Sequence, residues 1–138
     1  MARYPVAVER RFSDLDVLGH VNNVTYLVYL EEARVRLLRR VADRVGGADP
    51  MTQVVARTEI DYLHPLLLKA EPVVVDTWVS RVGRSSYEVR YLVLDDDGTV
   101  AARARTVQVF FDPATGGSAP IPAPVRAVLE AVIEPDDA

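Results

Sequence analysis

The sequence predicts an α+β fold, an antiparallel five-stranded sheet curled around one long helix. Three observations carry that expectation. A short alternating segment opens the chain, a single long stretch repeats apolar residues at helical spacing, and nearly everything from Met51 to Phe111 reads as strand broken by turn-forming residues.

The elements follow in order. "RYPVAVERRF" (residues 3–12) alternates in and out and reads as a first strand, with Pro5 near its start, where a missing N–H is tolerated. From about Thr25 to about Asp43, apolar residues fall at Leu27, Leu30, Ala33, Leu37, Leu38 and Val41, one face of a helix, while Glu31, Glu32, Arg34, Arg36, Arg39 and Arg40 mostly fill the rest. "GGADP" (46–50) then ends it, because glycine suits a helix C-terminus and proline cannot continue one. Four strands follow: "TQVVARTEIDYL" (52–63), "EPVVVDTWVSRV" (71–82), "SSYEVRYLVLD" (85–95) and "TVAARARTVQVFF" (99–111). "HPLLLKA" makes a longer turn, whereas "GRS" and "DDGT" are hairpin-length links, so the last three strands should form an antiparallel meander. After the Pro/Gly loop "DPATGGSAPIPAP", "VRAVLEAVIE" (125–134) is a short closing helix before an acidic end. "VVVDTWV" and "TVQVFF" offer apolar residues to both faces of the sheet, which predicts pairing of copies into a homodimer or a homotetramer, a dimer of dimers.

Length and composition exclude several classes of function. At 138 residues, one domain spanning 1–138 is expected. Hydrophobic residues make up 49% and charged residues 26%, with mean hydropathy +0.06, the balance of a folded globular chain; no stretch approaches a membrane span. Charges at Arg3, Glu9, Arg10 and Arg11 interrupt any secretory h-region, so a cytoplasmic location is expected. A net charge of −4 argues against nucleic acid and anionic membranes as partners. The absence of cysteine removes disulfides, thiol nucleophiles and thiolate metal sites.

The chemistry concentrates in "SDLDVLGHVNNVTY" (13–26), which crowds two aspartates, a glycine, a histidine and two asparagines against the start of the helix. Asn22 and Asn23 sit where an N-cap is wanted. The same helix end carries unpaired amides and the positive end of the dipole, a ready site for an anion or a developing oxyanion. Asp16 supplies a carboxylate a few residues upstream, and Gly19 permits a tight turn between them. "DLDVLG" begins like a calcium loop, but Leu18 occupies the fifth position and Thr25 the twelfth, where a bidentate glutamate is required. Asp14, Asp16 and His20 are neighbours on one loop, with His64 the only other histidine, which is a poor metal set, so neither metal nor cofactor is expected.

"DLDVLGHVNNVTY" followed by "YLEEAR" resembles the hotdog-fold acyl-CoA thioesterases of the 4-hydroxybenzoyl-CoA thioesterase family, whose pattern is D-x-D-x-x-G-x-V followed by an aromatic at the helix start. The "HVNN" run is similar to one in plant acyl-ACP thioesterases. The order of strand, helix and four strands is the hotdog order, so the resemblance extends over essentially the whole chain. It implies that Asp16 is the catalytic carboxylate, that the Asn23 backbone amide polarises the thioester carbonyl, and that Tyr26 is the aromatic just inside the helix. His20 would orient water or Asp16. His20 and Asn22 stand where the benzoyl subgroup often has apolar or aromatic residues, which points away from an aromatic acyl group.

Further substrate contacts are expected from Gly19, Asn22, Tyr26 and His64, which with Pro65 ends the first long strand. "RVGRSS" offers Arg84 and Ser85, with Arg81 and Ser86, to the phosphates or pantetheine of CoA. Glu31 and Glu32 are read as partners of helix arginines such as Arg34 and Arg36, and Asp14 as a turn residue. The expected substrate is an acyl-CoA. Acyl-carrier-protein thioesters are the alternative within enzymes, and a non-catalytic acyl-CoA-binding protein is the alternative outside them.

Overall fold

The computed structural model describes residues 3–46 and 52–134. Its elements are β1 (Tyr4–Val8), a 3-10 turn (Phe12–Asp14), α1 (Asn23–Val45), β2 (Gln53–Tyr62), β3 (Val73–Val82), β4 (Ser86–Leu94), β5 (Val100–Phe110) and α2 (Ala123–Ala131). The five strands form one sheet in the order β1-β3-β4-β5-β2, every neighbouring pair antiparallel. The last three strands are the expected meander. Residues 47–50 of the helix-stop signal and the acidic end beyond Glu134 lie outside the described residues.

Alternation divides the sheet into two faces. Val73, Val75, Val79, Val89, Tyr91, Val93, Ala102, Ala104 and Phe110 point inward and are almost wholly buried. They meet Tyr26, Tyr29, Leu30, Ala33, Leu37, Leu38 and Val41 of α1, with Val125 and Leu129 of α2 completing the core. On the outward face Val74, Trp78, Val107 and Val109 alternate with inward Val73, Val75, Val79 and Phe110, so the two segments read as apolar on both sides are so. Beside them a charged cluster that the sequence reading did not single out occupies the same face, Glu88 pairing with Arg90 and Arg105 and Glu59 with Arg57 and Arg105.

Two further boundaries move. β1 ends at Val8, not at residue 12, because Arg10 turns inward. Its guanidinium, with no exposed side-chain surface, donates to the carbonyls of Glu71 (2.9 Å) and Leu67 (2.9 Å) and to Asp95 (2.5 Å) and Asp96 (3.3 Å). One side chain thus ties the end of β1 to the β2–β3 connection and the β4–β5 hairpin. α1 begins two residues earlier and ends two later than its periodicity suggests; Asn22 caps it by accepting from the Val24 amide (2.9 Å), and Gly46, at φ 62°, ends it. Leu27, expected in the buried stripe, is 40% exposed, while Tyr26 and Tyr29 take the core positions.

The loop between β1 and α1 hangs on Asp14, which is 2% exposed. Its carboxylate accepts from the Arg11 amide (2.9 Å), the Arg11 guanidinium (3.1 and 3.0 Å) and the Tyr29 hydroxyl (2.7 Å), and its carbonyl accepts from the Asn22 amide (2.8 Å). Burial works to raise the Asp14 pKa, but the bonds from Arg11 and Tyr29 outweigh it and hold the carboxyl below the ordinary aspartate range.

Two outcomes follow from these anchors. Arg10→Met should lower unfolding free energy by about 3–5 kcal/mol in urea titrations, since it strands buried acceptors. Asp14→Asn should lower it by about 1–3 kcal/mol at neutral pH. Because the folded-state pKa of Asp14 is depressed, its charge stabilises the protein above the unfolded pKa of about 4, and the contribution is lost as pH falls through the lower folded value. The gap between wild type and Asp14→Asn should therefore narrow below about pH 4.

Candidate active site

The motif folds as a miniature hairpin. Leu15 and Val21 form an antiparallel bridge, the Asp16 amide donates to the His20 carbonyl (3.0 Å), and the Gly19 amide donates to the Asp16 carbonyl (3.1 Å). Gly19 sits at φ 80°, and a Cβ there would meet no atom within 4 Å. Glycine is therefore required by backbone conformation and not by crowding. The Val21 amide then donates to the Leu66 carbonyl (2.8 Å), fixing the hairpin to the segment after β2.

That arrangement opens a cleft of about 240 Å³ lined by Asp16, Leu18, His20, Val21, Asn23, Tyr26, Tyr62, Leu63, His64 and Pro65. Five residues singled out in the sequence, Asp16, His20, Asn23, Tyr26 and His64, come together here although His64 is far away in the chain. Gly19 and Asn22 shape the cleft through the turn and the helix cap. One Asp16 carboxylate oxygen accepts from the Leu18 amide (2.8 Å), which orients the side chain; the other has no hydrogen-bond partner among the described residues. Asn23 is the first helical residue, and its amide has no acceptor among the described residues. A free N–H at the positive end of a 23-residue helix therefore lines the same cleft as a free carboxylate oxygen.

Tyr62 is the residue that sequence reasoning missed. Its hydroxyl donates to the Asn23 carbonyl (3.0 Å), and its ring meets Tyr26 edge-on at 5.1 Å. Tyr26 in turn donates to the His64 carbonyl (3.3 Å). Strand alternation was the available signal, since Tyr62 pairs with inward-facing Ala102. Burial raises the Tyr26 and Tyr62 pKa values, keeping both phenols protonated as donors.

Arg84 and Ser85 are not brought to this cleft within one chain. Their hairpin lies beside the Phe110 end of β5, where the Phe110 amide donates to the Ser85 carbonyl and Arg126 donates to the carbonyls of Gly83 and Arg84, whereas the cleft lies beside Ala101. Those ends are roughly 30 Å apart at strand rise. Of the helix acids, Glu32 pairs with Arg36 (3.7 Å), while Arg34 reaches the Tyr91 hydroxyl (3.3 Å). A larger cavity, about 320 Å³, lies between β1, α1 and α2, but arginines, Tyr4 and apolar residues line it without a carboxylate or histidine, so the motif cleft is the better candidate for an active site. No group of three or more His, Cys, Asp or Glu that could hold a metal ion occurs among the described residues.

Comparison with known proteins identifies the family. The chain is 36% identical over 85 residues to YsmA of Bacillus subtilis, a match that spans 62% of this chain and 56% of that relative's length. It is 29% identical to the long-chain acyl-CoA thioesterase FadM of Escherichia coli over 87% of this chain and 92% of the relative. A crystal structure of a Thermus thermophilus thioesterase complexed with coenzyme A and Zn superposes with a TM-score of 0.78 at 38% identity, covering 91% of this chain and 95% of the other. The family model described as the thioesterase-like superfamily matches residues 10–129, and with that match the chain belongs to the thioesterase-like superfamily of hotdog proteins.

Proposed function

We propose that this protein hydrolyses acyl-CoA thioesters to the free acid and CoA, with Asp16 as the essential carboxylate and the Asn23 amide as oxyanion donor. The observation that carries the reading is the pairing of a free carboxylate oxygen with an unpaired helix-terminal N–H in one cleft. A thioester carbonyl is electrophilic and its thiolate a stable leaving group, so one oxyanion donor and one carboxylate suffice. As general base, Asp16 takes a proton from water while the water oxygen bonds to the carbonyl carbon. The oxyanion then collapses, the C–S bond breaks, and the thiolate leaves and is protonated. As nucleophile, Asp16 would form a mixed anhydride that water opens. His20 flanks the hairpin and orients the water. Tyr62, donating to the Asn23 carbonyl, steadies the first helical residue whose amide does the polarising.

Two relatives support the substrate class: FadM is a long-chain acyl-CoA thioesterase, and the Thermus thioesterase is seen in complex with coenzyme A. Membership of the 4-hydroxybenzoyl-CoA thioesterase branch remains part of this proposal, resting on the D-x-D-x-x-G-x-V motif. So does assembly into a homodimer or homotetramer. Exposed Val24, Leu27, Val28 and Val35 on α1 and Val54 and Val55 on β2 support assembly, and only a partner copy would let Arg84 and Ser85 serve a CoA that is held at a motif cleft.

Thiol release from palmitoyl-CoA, followed with a colorimetric thiol reagent, tests the reading. Asp16→Asn keeps an acceptor for the Leu18 amide, so it should fold as wild type yet lose about 10²–10⁴-fold in kcat. Full activity in that variant would end the proposal. Asn23→Pro removes the helix-terminal N–H at the first helical position, where proline is tolerated, and Asn22 at φ −64°, ψ 140° already suits a following proline. Melting should barely change while kcat falls by roughly 10²–10³-fold.

A further inference from the structure

The cavity between β1, α1 and α2 is apolar in its depth and cationic at its edge. Its volume is about 320 Å³. Leu37 and Val41 of α1, 7% and 3% exposed, form its floor with Val128 of α2 and Val132 just beyond that helix. Arg40 and Arg44, both exposed and one helical turn apart, stand at its mouth. Along α1 at helical rise, these residues lie roughly 21–32 Å from Asn23, so the cavity is separate from the Asp16 cleft.

The two arginines at the mouth are uncommitted. Arg3, on the opposite wall, is held by Asp76 (3.3 Å) and Glu134 (2.9 Å), and Arg36, a turn before Arg40, pairs with Glu32 (3.7 Å). Arg40 lies 4.5 Å over the Tyr4 ring, a contact that positions the guanidinium while leaving its charge and its N–H donors unanswered. Neither the Arg40 nor the Arg44 side chain makes an ion pair or hydrogen bond among the described residues, even with Asp43 between them in sequence. Like charges four residues apart on a helix repel, and no carboxylate lines the cavity to offset that repulsion. Two repelling cations above an apolar chamber are complementary to a molecule that is anionic at one end and apolar along the rest.

We propose that this cavity is a binding site for a free aliphatic carboxylate of medium chain length. Its carboxylate bridges Arg40 and Arg44, whose guanidinium forks match that group in shape as well as charge. Its chain lies over Leu37, Val41, Val128 and Val132. The volume is near the lower end for ligand pockets, which favours a medium chain over a long one. An anionic lipid surface is disfavoured as occupant, because the cationic patch is local and the whole chain carries a net charge of −4. Bound here, the acid touches β1, α1 and α2 together and so stabilises the folded chain. Nothing in this site requires the Asp16 cleft to be catalytic.

The test is calorimetric titration and thermal melting of the full chain with octanoate, acetate and octan-1-ol. Wild type should bind octanoate saturably and melt higher in its presence. Acetate and octanol should each bind about tenfold or more weakly, since each lacks one half of the ligand. Arg40→Gln/Arg44→Gln alters exposed helix positions, so without ligand it should melt no lower than wild type, yet its octanoate affinity should fall by about tenfold or more. Val128→Phe, which fills the chamber and keeps both arginines, should weaken octanoate binding likewise, and Asp16→Asn should leave it unchanged. Absence of saturable octanoate binding by wild type overturns the inference, including a result in which only anionic phosphatidylglycerol vesicles bind. Affinity that survives in the arginine variant overturns it, as does octanoate binding that Asp16→Asn abolishes, which places the acid in the motif cleft. Acetate binding as tightly as octanoate overturns it too, marking a nonspecific anion site. A wild type that binds octanoate through the arginines but releases no thiol from any acyl-CoA leaves this site standing and ends the hydrolase reading instead.

Discussion

The structure of the site depends on one buried carboxylate. Asp14 draws four hydrogen bonds to its side chain from the backbone and guanidinium of Arg11 and from Tyr29, while its carbonyl holds the Asn22 amide. Tyr29 belongs to the second turn of α1, so the interaction fixes where the helix begins relative to the strand before it. The Asp16 hairpin, the Asn22 cap and the Asn23 amide are all placed by that choice. A buried charge is tolerable only when so fully bonded, and here the bonding partners are the local chain itself.

From that starting point the sheet closes the other side of the cleft. The bulge in β2 between Val55 and Arg57 resets the register so that Thr58, Ile60 and Tyr62 face α1. Tyr62 then reaches the first residue of the helix, and its ring packs on Tyr26. The helix dipole, an orienting turn amide at Leu18 and two protonated phenols thus surround one carboxylate in a cleft. Each is set by backbone geometry before any ligand arrives, which is what preorganised oxyanion stabilisation requires.

Much of this was legible in the amino-acid sequence because it is local. The spacing from Asp16 through Gly19 to Asn23 encodes a turn and a cap, and both are found. The meander was legible because its links are short. What was not legible depended on distant partners. Arg10 continues the alternation of β1 on paper, yet the acceptors at Leu67, Glu71, Asp95 and Asp96 pull it out of the strand. Leu27 has the right period for the core, but it lies with Val24 and Val28 on the exposed side of α1 and not on the side that packs against the sheet. Glycine, arginine and serine at the β3–β4 turn are suited to phosphates by type; nothing in their spacing reveals that a full strand length separates them from the Asp16 cleft.

The position of β1 governs the order in which the molecule can be assembled. Thr77 of β3 donates its hydroxyl to the Tyr4 carbonyl across 73 positions of sequence, and among the described residues β3 is the one strand that β1 pairs with. During synthesis the first strand therefore emerges with no partner and must wait while α1 and β2 are made. The β3–β4–β5 meander closes through short loops and forms early, whereas docking β1 requires closing a much longer loop. Asp14 and Tyr29 lie close in sequence and can engage before that closure, so the turn that carries Asp16 is organised locally while the strand leading into it is among the last elements secured.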